Sequence, residues 1–253
     1  MLNKAEQKTL DSIKAMPYMQ RTVALVEGFV ENNLDKELKT NYSLVFDEIF
    51  NILNEAKPYV DEYLKARKMK GEIKDEKQAL KAIAGHSFSL ILVFIFLKNK
   101  EIGNIREDIF ITSQISKVPS FKEVSIINVD GETQKPDCDL VIYSLNEENA
   151  LKKCMILSLK TSLRERAGQT YKWKLLMEIA TSCNEIKEKY KINYHPDNIP
   201  LVAFATVNFY DEINSPQHRG MFKFFDKSFI AKNIDAEFIA RMSTLPKYVN
   251  ENL

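Results

Sequence analysis

Asp137, Asp139 and Lys160 are the residues whose chemistry can be read first. Carboxylates followed about twenty residues later by a lysine suit phosphodiester hydrolysis. The carboxylates would hold Mg²⁺ through hard oxygen ligands, leaving waters and a phosphate oxygen to complete an octahedron. The metal polarises the phosphate and generates hydroxide, and the lysine holds the attacking water and offsets charge in the transition state. The stretch from Lys135 to Glu178 therefore reads as a metal-dependent nuclease centre.

Two β-prone runs must position these groups. Leu140-Val141-Ile142-Tyr143 is entered from Pro136-Asp137-Cys138-Asp139, and Cys154-Met155-Ile156-Leu157 closes on Ser158-Leu159-Lys160. The polar stretch Ser144–Asn149 predicts a hairpin turn. A hairpin carries the start of the first strand and the end of the second to one sheet edge, so the Asp pair and Lys160 are predicted to be neighbours. Asp139 is the first choice for central ligand because it directly enters the β-run; Asp137 is the alternative.

Pro136-Asp137 or Asp139, the spacer and Ser158-Leu159-Lys160 resemble the PD-(D/E)xK nucleases, and among them the type II restriction endonucleases. Ser158 stands where that superfamily usually has Asp or Glu, a departure shared with a CCGG-recognising subgroup, the BsaWI, Cfr10I and Ecl18kI kinds. In that subgroup a glutamate on the following helix takes over the ligand. Here the resemblance implies Glu178, on a helix predicted from about Gly168 to Tyr190, with Glu165 and Glu185 as fallbacks. The subgroup also reads C and G bases with an Arg-acid-Arg element, which Arg164-Glu165-Arg166 resembles. Arginine is bidentate to guanine O6 and N7, and a carboxylate accepts from cytosine N4. The later stretch from His218 to Lys227 is similar to a C-terminal segment of the BsaWI kind. The resemblance spans roughly Asp139 to Lys227.

Composition bounds the rest. A chain of 253 residues with 45% hydrophobic content, seven Gly and eight Pro can bury a good-sized core. The net charge of +1 does not advertise nucleic acid, but Lys152–Lys174 holds seven basic residues against Glu165 alone. That local excess is what a DNA cleft would look like, with Lys172 a candidate contact. Cys138, Cys154 and Cys183 lack zinc spacing and are expected as reduced core thiols. No apolar h-region opens the chain, and the Leu90–Leu97 run is too short to span a bilayer. The expected location is the cytoplasm, with no membrane partner.

Residues 1–74 are expected to form a helical region for dimerisation or DNA contact, and 75–253 the catalytic domain. Leu10, Ile13 and Met16 lie at helical spacing, as do Val23, Val26 and Val30. A third helix, with Ile49, Ile52 and Leu53, is expected to stop at Pro58, a short piece following through Tyr63 and Leu64. Lys-rich Lys65–Lys74 reads as a surface loop or linker, the alternative being a loop that touches phosphates. Asp75 caps the next helix, apolar on all sides in its second half, with His86 as a hydrogen-bonded structural histidine.

Further strands are predicted at Phe110–Thr112, Val124–Ile127, Leu201–Phe209 and Met221–Phe225, with His218 and Arg219 available to DNA before the last. The stripe Leu175, Leu176, Ile179, Cys183 and Ile186 is expected to face the core. The segment Ala236–Leu253 reads as a short helix with a frayed end. Together these predict an αβα sandwich with a mixed sheet and a helical N-terminal region.

The functional expectation is a type II restriction endonuclease cutting double-stranded DNA at a short, palindromic, C/G-containing site. A homodimer or larger assembly would match the site's two-fold symmetry. The competing readings are a structure-specific PD-(D/E)xK nuclease and a non-catalytic DNA-binding module.

Overall fold

The computed structural model describes residues 1–33, 37–182 and 184–253, the side chains of Lys39 and residues 164–169 excepted. Among the described residues, five α-helices come first: α1 (Lys4–Ala15), α2 (Gln20–Asn32), α3 (Leu38–Leu44), α4 (Ile49–Met69) and α5 (Glu76–Glu101). Helix α1 starts at a capping box, Asn3 accepting from the Glu6 amide while the Glu6 carboxylate accepts from the Asn3 amide, both at 2.9 Å. Asp75 caps α5 through the Gln78 amide at 3.0 Å.

Pro58 does not end the third helix; α4 runs through it to Met69. Proline there lacks one helix hydrogen bond, but Pro58 is on the exposed face while Ile52, Ala56, Val60 and Leu64 continue a buried stripe opposite it. Residues 65–69, expected as loop, are the last turns of α4. Only the short turn around Gly71, with φ of 75°, joins α4 to α5.

The strands are β1 (Ile109–Thr112), β2 (Ile127–Val129), β3 (Glu132–Gln134), β4 (Leu140–Leu145), β5 (Leu151–Lys160), β6 (Ile192–Asn193), β7 (Leu201–Thr206), β8 (Lys227–Ile230) and β9 (Ala240–Arg241). The remaining helices are α6 (Phe121–Ser125), α7 (Arg164–Ser182), α8 (Asn184–Lys189), α9 (Pro216–Phe222) and α10 (Leu245–Asn252). Among the described residues, six strands form one mixed sheet in the order β1-β4-β5-β7-β8-β9. The first three pair antiparallel and the rest parallel. A second, three-stranded antiparallel sheet, β3-β2-β6, was not foreseen.

Helices cover both faces of the large sheet. In β7, Val202 and Phe204 face one core while Ala203 and Ala205 face the other, the alternation of a strand buried on both sides. Ile91–Leu97 of α5 are buried against the Ala203 side, together with Leu10, Val26, Phe46 and Ile49 from the earlier helices. By length and composition α5 would also pass as a membrane-crossing helix, yet its apolar half is enclosed by the sheet and these helices. Each fully buried Phe of α5 (Phe88, Phe94, Phe96) contributes about 1.5–3 kcal/mol. His86 is exposed, its Nδ1 2.9 Å from the Tyr18 hydroxyl.

Several expectations are corrected. Val124 and Ser125 end α6, not a strand. Phe121 and Val124, three apart, pack into the second core, and the Tyr194 hydroxyl donates to the Val124 carbonyl at 2.7 Å. Met221 and Phe222 end helix α9, and the next strand is β8. The inward residues of α7 are Thr170, Trp173, Lys174, Met177 and Ala180; Leu175, Leu176 and Ile179 are only partly covered. The end of the chain is held, not frayed: Val249 and Leu253 are in the core, and the buried Ser144 hydroxyl donates to the Leu253 carbonyl at 3.1 Å. Cys183 lies outside the described residues.

Candidate active site

The hairpin forms as its sequence predicts, with Leu140 opposite Leu157 and Val141 opposite Ile156. Lys160 ends β5 and pairs in register with Thr206 of β7, which pairs with Ile230 of β8. Asp137 and Asp139 lead into β4 at this same edge. Lys160 Nζ lies 2.8 Å from Asp137 Oδ2 and 3.2 Å from Asp139 Oδ2. The Leu159 amide donates to that Asp139 oxygen at 2.7 Å, fixing the carboxylate to the neighbouring strand.

Burial differs across the trio. The Lys160 side chain is 9% exposed, whereas Asp137 and Asp139 keep 41% and 35% of theirs. The lysine is enclosed at the sheet edge, and the carboxylates present oxygen to solvent. Cys138, between them, has its thiol pushed up to about 12 by burial and then by the Asp139 charge, so it stays protonated at neutral pH. Cys154, on β5 of the hairpin opposite Tyr143, is likewise held as a thiol, up to about 12, by burial.

Ser158 is fully buried, its hydroxyl 3.0 Å from that of Thr170 on α7. Nothing at this position reaches the carboxylate edge. Glu178 is half exposed and sits 3.3 Å from Lys174 Nζ, which is buried and also bonded to both oxygens of Asp226 at 2.9 Å. Asp226 in turn accepts from the Val202 amide at 2.7 Å. Val202 pairs with Ile156 and Thr206 with Lys160, so this cluster lies four residues, about 13 Å, along the sheet from the Lys160 edge. The structure brings Asp137, Asp139 and Lys160 together and does not bring Glu178 to them. Glu185 is exposed on α8.

The basic stretch does not form one patch. Lys152 and Lys153 are exposed at the far end of β5, while Lys160 and Lys174 are buried in ion pairs. Lys172 is exposed on α7. Arg164, Glu165 and Arg166 form the first turn of α7, which starts earlier than the predicted Gly168; their side chains lie outside the described residues. Arg219 is exposed on α9, its guanidinium 5.9 Å from the Phe238 ring centre, and His218 Nδ1 is 2.7 Å from the Glu212 carbonyl.

Glu212, which sequence reasoning did not single out, belongs to this end of the sheet. Its Oε2 accepts from the Leu163 amide at 2.7 Å and the Ser162 hydroxyl at 3.1 Å, just ahead of α7. No local signal marks it, because the helix end it serves is some fifty residues earlier in the chain.

Among the described residues, no three His, Cys, Asp or Glu side chains converge as a metal cage. Two partly exposed carboxylates gathered around an ammonium nevertheless suit a hydrated hard divalent cation, which takes few protein oxygens and keeps water.

No curated protein matches the chain. A family model described as BsaWI restriction endonuclease type 2 matches residues 111–248, over half the chain, from within β1 to within α10 and including the whole Asp137–Lys160 hairpin. On this match and the mixed sheet that carries the trio, the chain belongs to the BsaWI family of type II restriction endonucleases.

Proposed function

We propose that the protein hydrolyses both strands of duplex DNA in the presence of Mg²⁺ at a short, palindromic site containing C/G pairs, with a centre of the PD-(D/E)xK kind. The observation that carries this reading is the convergence of Asp137, Asp139 and Lys160 at one sheet edge, within the stretch matched by a restriction endonuclease family.

Asp139 and Asp137 are the residues that would hold Mg²⁺. The bound ion supplies a polarised phosphate and a more acidic water. Asp139, tied to the Leu159 amide, keeps its oxygen in place without reorganisation. Lys160, with its stem buried beside the carboxylates, orients the attacking water by hydrogen bonding and places positive charge where the phosphate gains negative charge. Our reading leaves Glu178 out of the metal set, since its carboxylate faces Lys174.

Arg164, Glu165 and Arg166 would read C/G pairs in the major groove. They begin only four residues after Lys160, so recognition and chemistry share one short connection. A palindromic duplex calls for two copies of this site, and we propose a homodimer or larger homo-oligomer related by two-fold symmetry.

The test is incubation of the purified protein with a long sequenced duplex in Mg²⁺ and, separately, in EDTA. Discrete Mg²⁺-dependent fragments with common ends support the proposal. Cutting only at junctions or flaps, or an uncut duplex over a wide protein range, overturns it.

A further inference from the structure

We infer that Glu212 is a positioning residue for base recognition: it holds the start of α7, where Arg164-Glu165-Arg166 lies, against the loop that follows β7. This rests on the recognition role given to those three residues above.

The clamp is built from both sides. Ser162 and Leu163 are the last residues before α7, and one oxygen of Glu212 receives the Leu163 amide at 2.7 Å and the Ser162 hydroxyl at 3.1 Å. The amide ahead of a helix is among the donors that the helix itself leaves unpaired. A carboxylate there also meets the positive end of the helix dipole. No residue at 161–163 offers such an acid, so α7 takes its anion from a distant segment.

Glu212 is itself held. Asn208 is 1% exposed, and its Oδ1 accepts from the Glu212 amide at 2.8 Å and the Ile213 amide at 3.3 Å. The Asn208 amide donates to Thr206 Oγ1 at 2.9 Å. Asn208 and Asp211 both adopt φ of 52°, a left-handed conformation that Asn and Asp tolerate best among non-glycine residues. Leu163 and Ile213 are both fully buried in the same core. Thr206 is the register partner of Lys160. One bonded chain thus runs from the row of the catalytic lysine through Thr206, Asn208 and Glu212 to Ser162 and Leu163, immediately ahead of α7.

This arrangement fixes the recognition turn relative to the cleavage edge by a path separate from the covalent one through Thr161–Leu163. Among the described residues, the Glu212 carboxylate is bonded to Ser162 and Leu163 and not to the trio. Its loss should loosen where the recognition turn sits and leave the carboxylate–lysine geometry standing. The consequence is a change in discrimination between sites, with cleavage chemistry retained.

The experiment compares kcat/KM on the preferred site and on the same duplex with one C/G pair replaced, for the wild-type protein, Glu212→Ala and Glu212→Gln. The ratio of the two constants is insensitive to the fraction of folded enzyme, since one preparation meets both duplexes. Glu212→Ala is expected to lower the ratio about tenfold, the scale of one mis-set bidentate base contact. Glu212→Gln keeps an acceptor and loses the charge, and is expected to lower it about threefold.

A wild-type ratio in Glu212→Ala, or a uniform fall of both constants, overturns the clamp while leaving the nuclease reading intact. Should Glu212→Ala not fold, Glu212→Gln decides alone, and an unchanged ratio overturns the proposal. A wild-type protein that cuts no duplex removes the nuclease reading and the clamp with it.

Discussion

Lys160 Nζ lies 3.2 Å from Asp139 Oδ2 across a hairpin, at the edge where the parallel strands end. The same oxygen takes the Leu159 amide, so one carboxylate is oriented by backbone and faced by a nearly buried ammonium. This pair is what the proposed chemistry depends on.

Lys160→Ala and Asp139→Asn should each lower the Mg²⁺-dependent cleavage rate by about 10²–10³-fold or more, the scale of losing one preorganised electrostatic contact. Duplex binding in Ca²⁺ or EDTA should stay close to that of the wild type. Single-turnover cleavage beside a gel-shift titration checks both halves. Undiminished cutting by Lys160→Ala would remove the mechanism.

Glu178→Gln should leave kcat/KM within about threefold, because Glu178 contributes only a half-exposed contact to Lys174, the kind worth at most ~1 kcal/mol. Lys174 keeps both oxygens of Asp226. A steady-state comparison at several Mg²⁺ concentrations decides it. A large loss rescued by excess Mg²⁺ would return Glu178 to the metal site.

Lys100 and Glu6 form a different kind of pair, 2.6 Å apart with side chains 1% and 8% exposed, and Lys100 also donates to the Ile109 carbonyl at 2.8 Å. Glu6→Ala strands a charge between α1, α5 and β1. It should destabilise the fold by about 3–5 kcal/mol, whereas Glu6→Leu combined with Lys100→Met should cost far less. Urea unfolding midpoints of the single and double variants measure the difference.

Asp47 is 2% exposed, and burial raises its carboxyl above the ordinary range, offset in part by bonding to Ser243, whose amide lies at 2.8 Å. A pKa higher in the folded than in the unfolded protein means that the folded state binds the proton more tightly. This group's contribution to stability is therefore greatest below its unfolded value and falls as pH rises through its folded one. Asp47→Asn should flatten that decline while keeping an acceptor for Ser243. Denaturation measured from mildly acidic to neutral pH reads the slope.

The hairpin was legible because its signals are local: two β-prone runs, a polar turn, and period-two geometry that puts both ends at one edge. The α5 helix was legible for the same reason, from Asp75 to its apolar second half. Pro58, Val124 and Met221 misled because propensity was overruled by packing. An exposed proline rides a helix whose other face is buried, and Val124 and Met221 are helical residues buried in the second core. The basic run Lys152–Lys174 looked like one surface, yet the ten-residue β5 carries Lys152 and Lys153 to the end opposite Lys160, and Lys160 and, on α7, Lys174 are buried in ion pairs.

By itself, then, the sequence determined the pair of strands, the closeness of the Asp pair to Lys160 and the resemblance that the family match bears out at the level of restriction endonuclease. Only the tertiary structure decided that the helix glutamate stands away from the lysine. Glu178 is set by how α7 rotates over the sheet, and that rotation follows from burying Trp173 and Met177 and pairing Lys174 with Asp226. Glu212 gains its role because the loop after β7 folds back onto the start of α7. Such contacts join residues about fifty positions apart, and no local pattern encodes them.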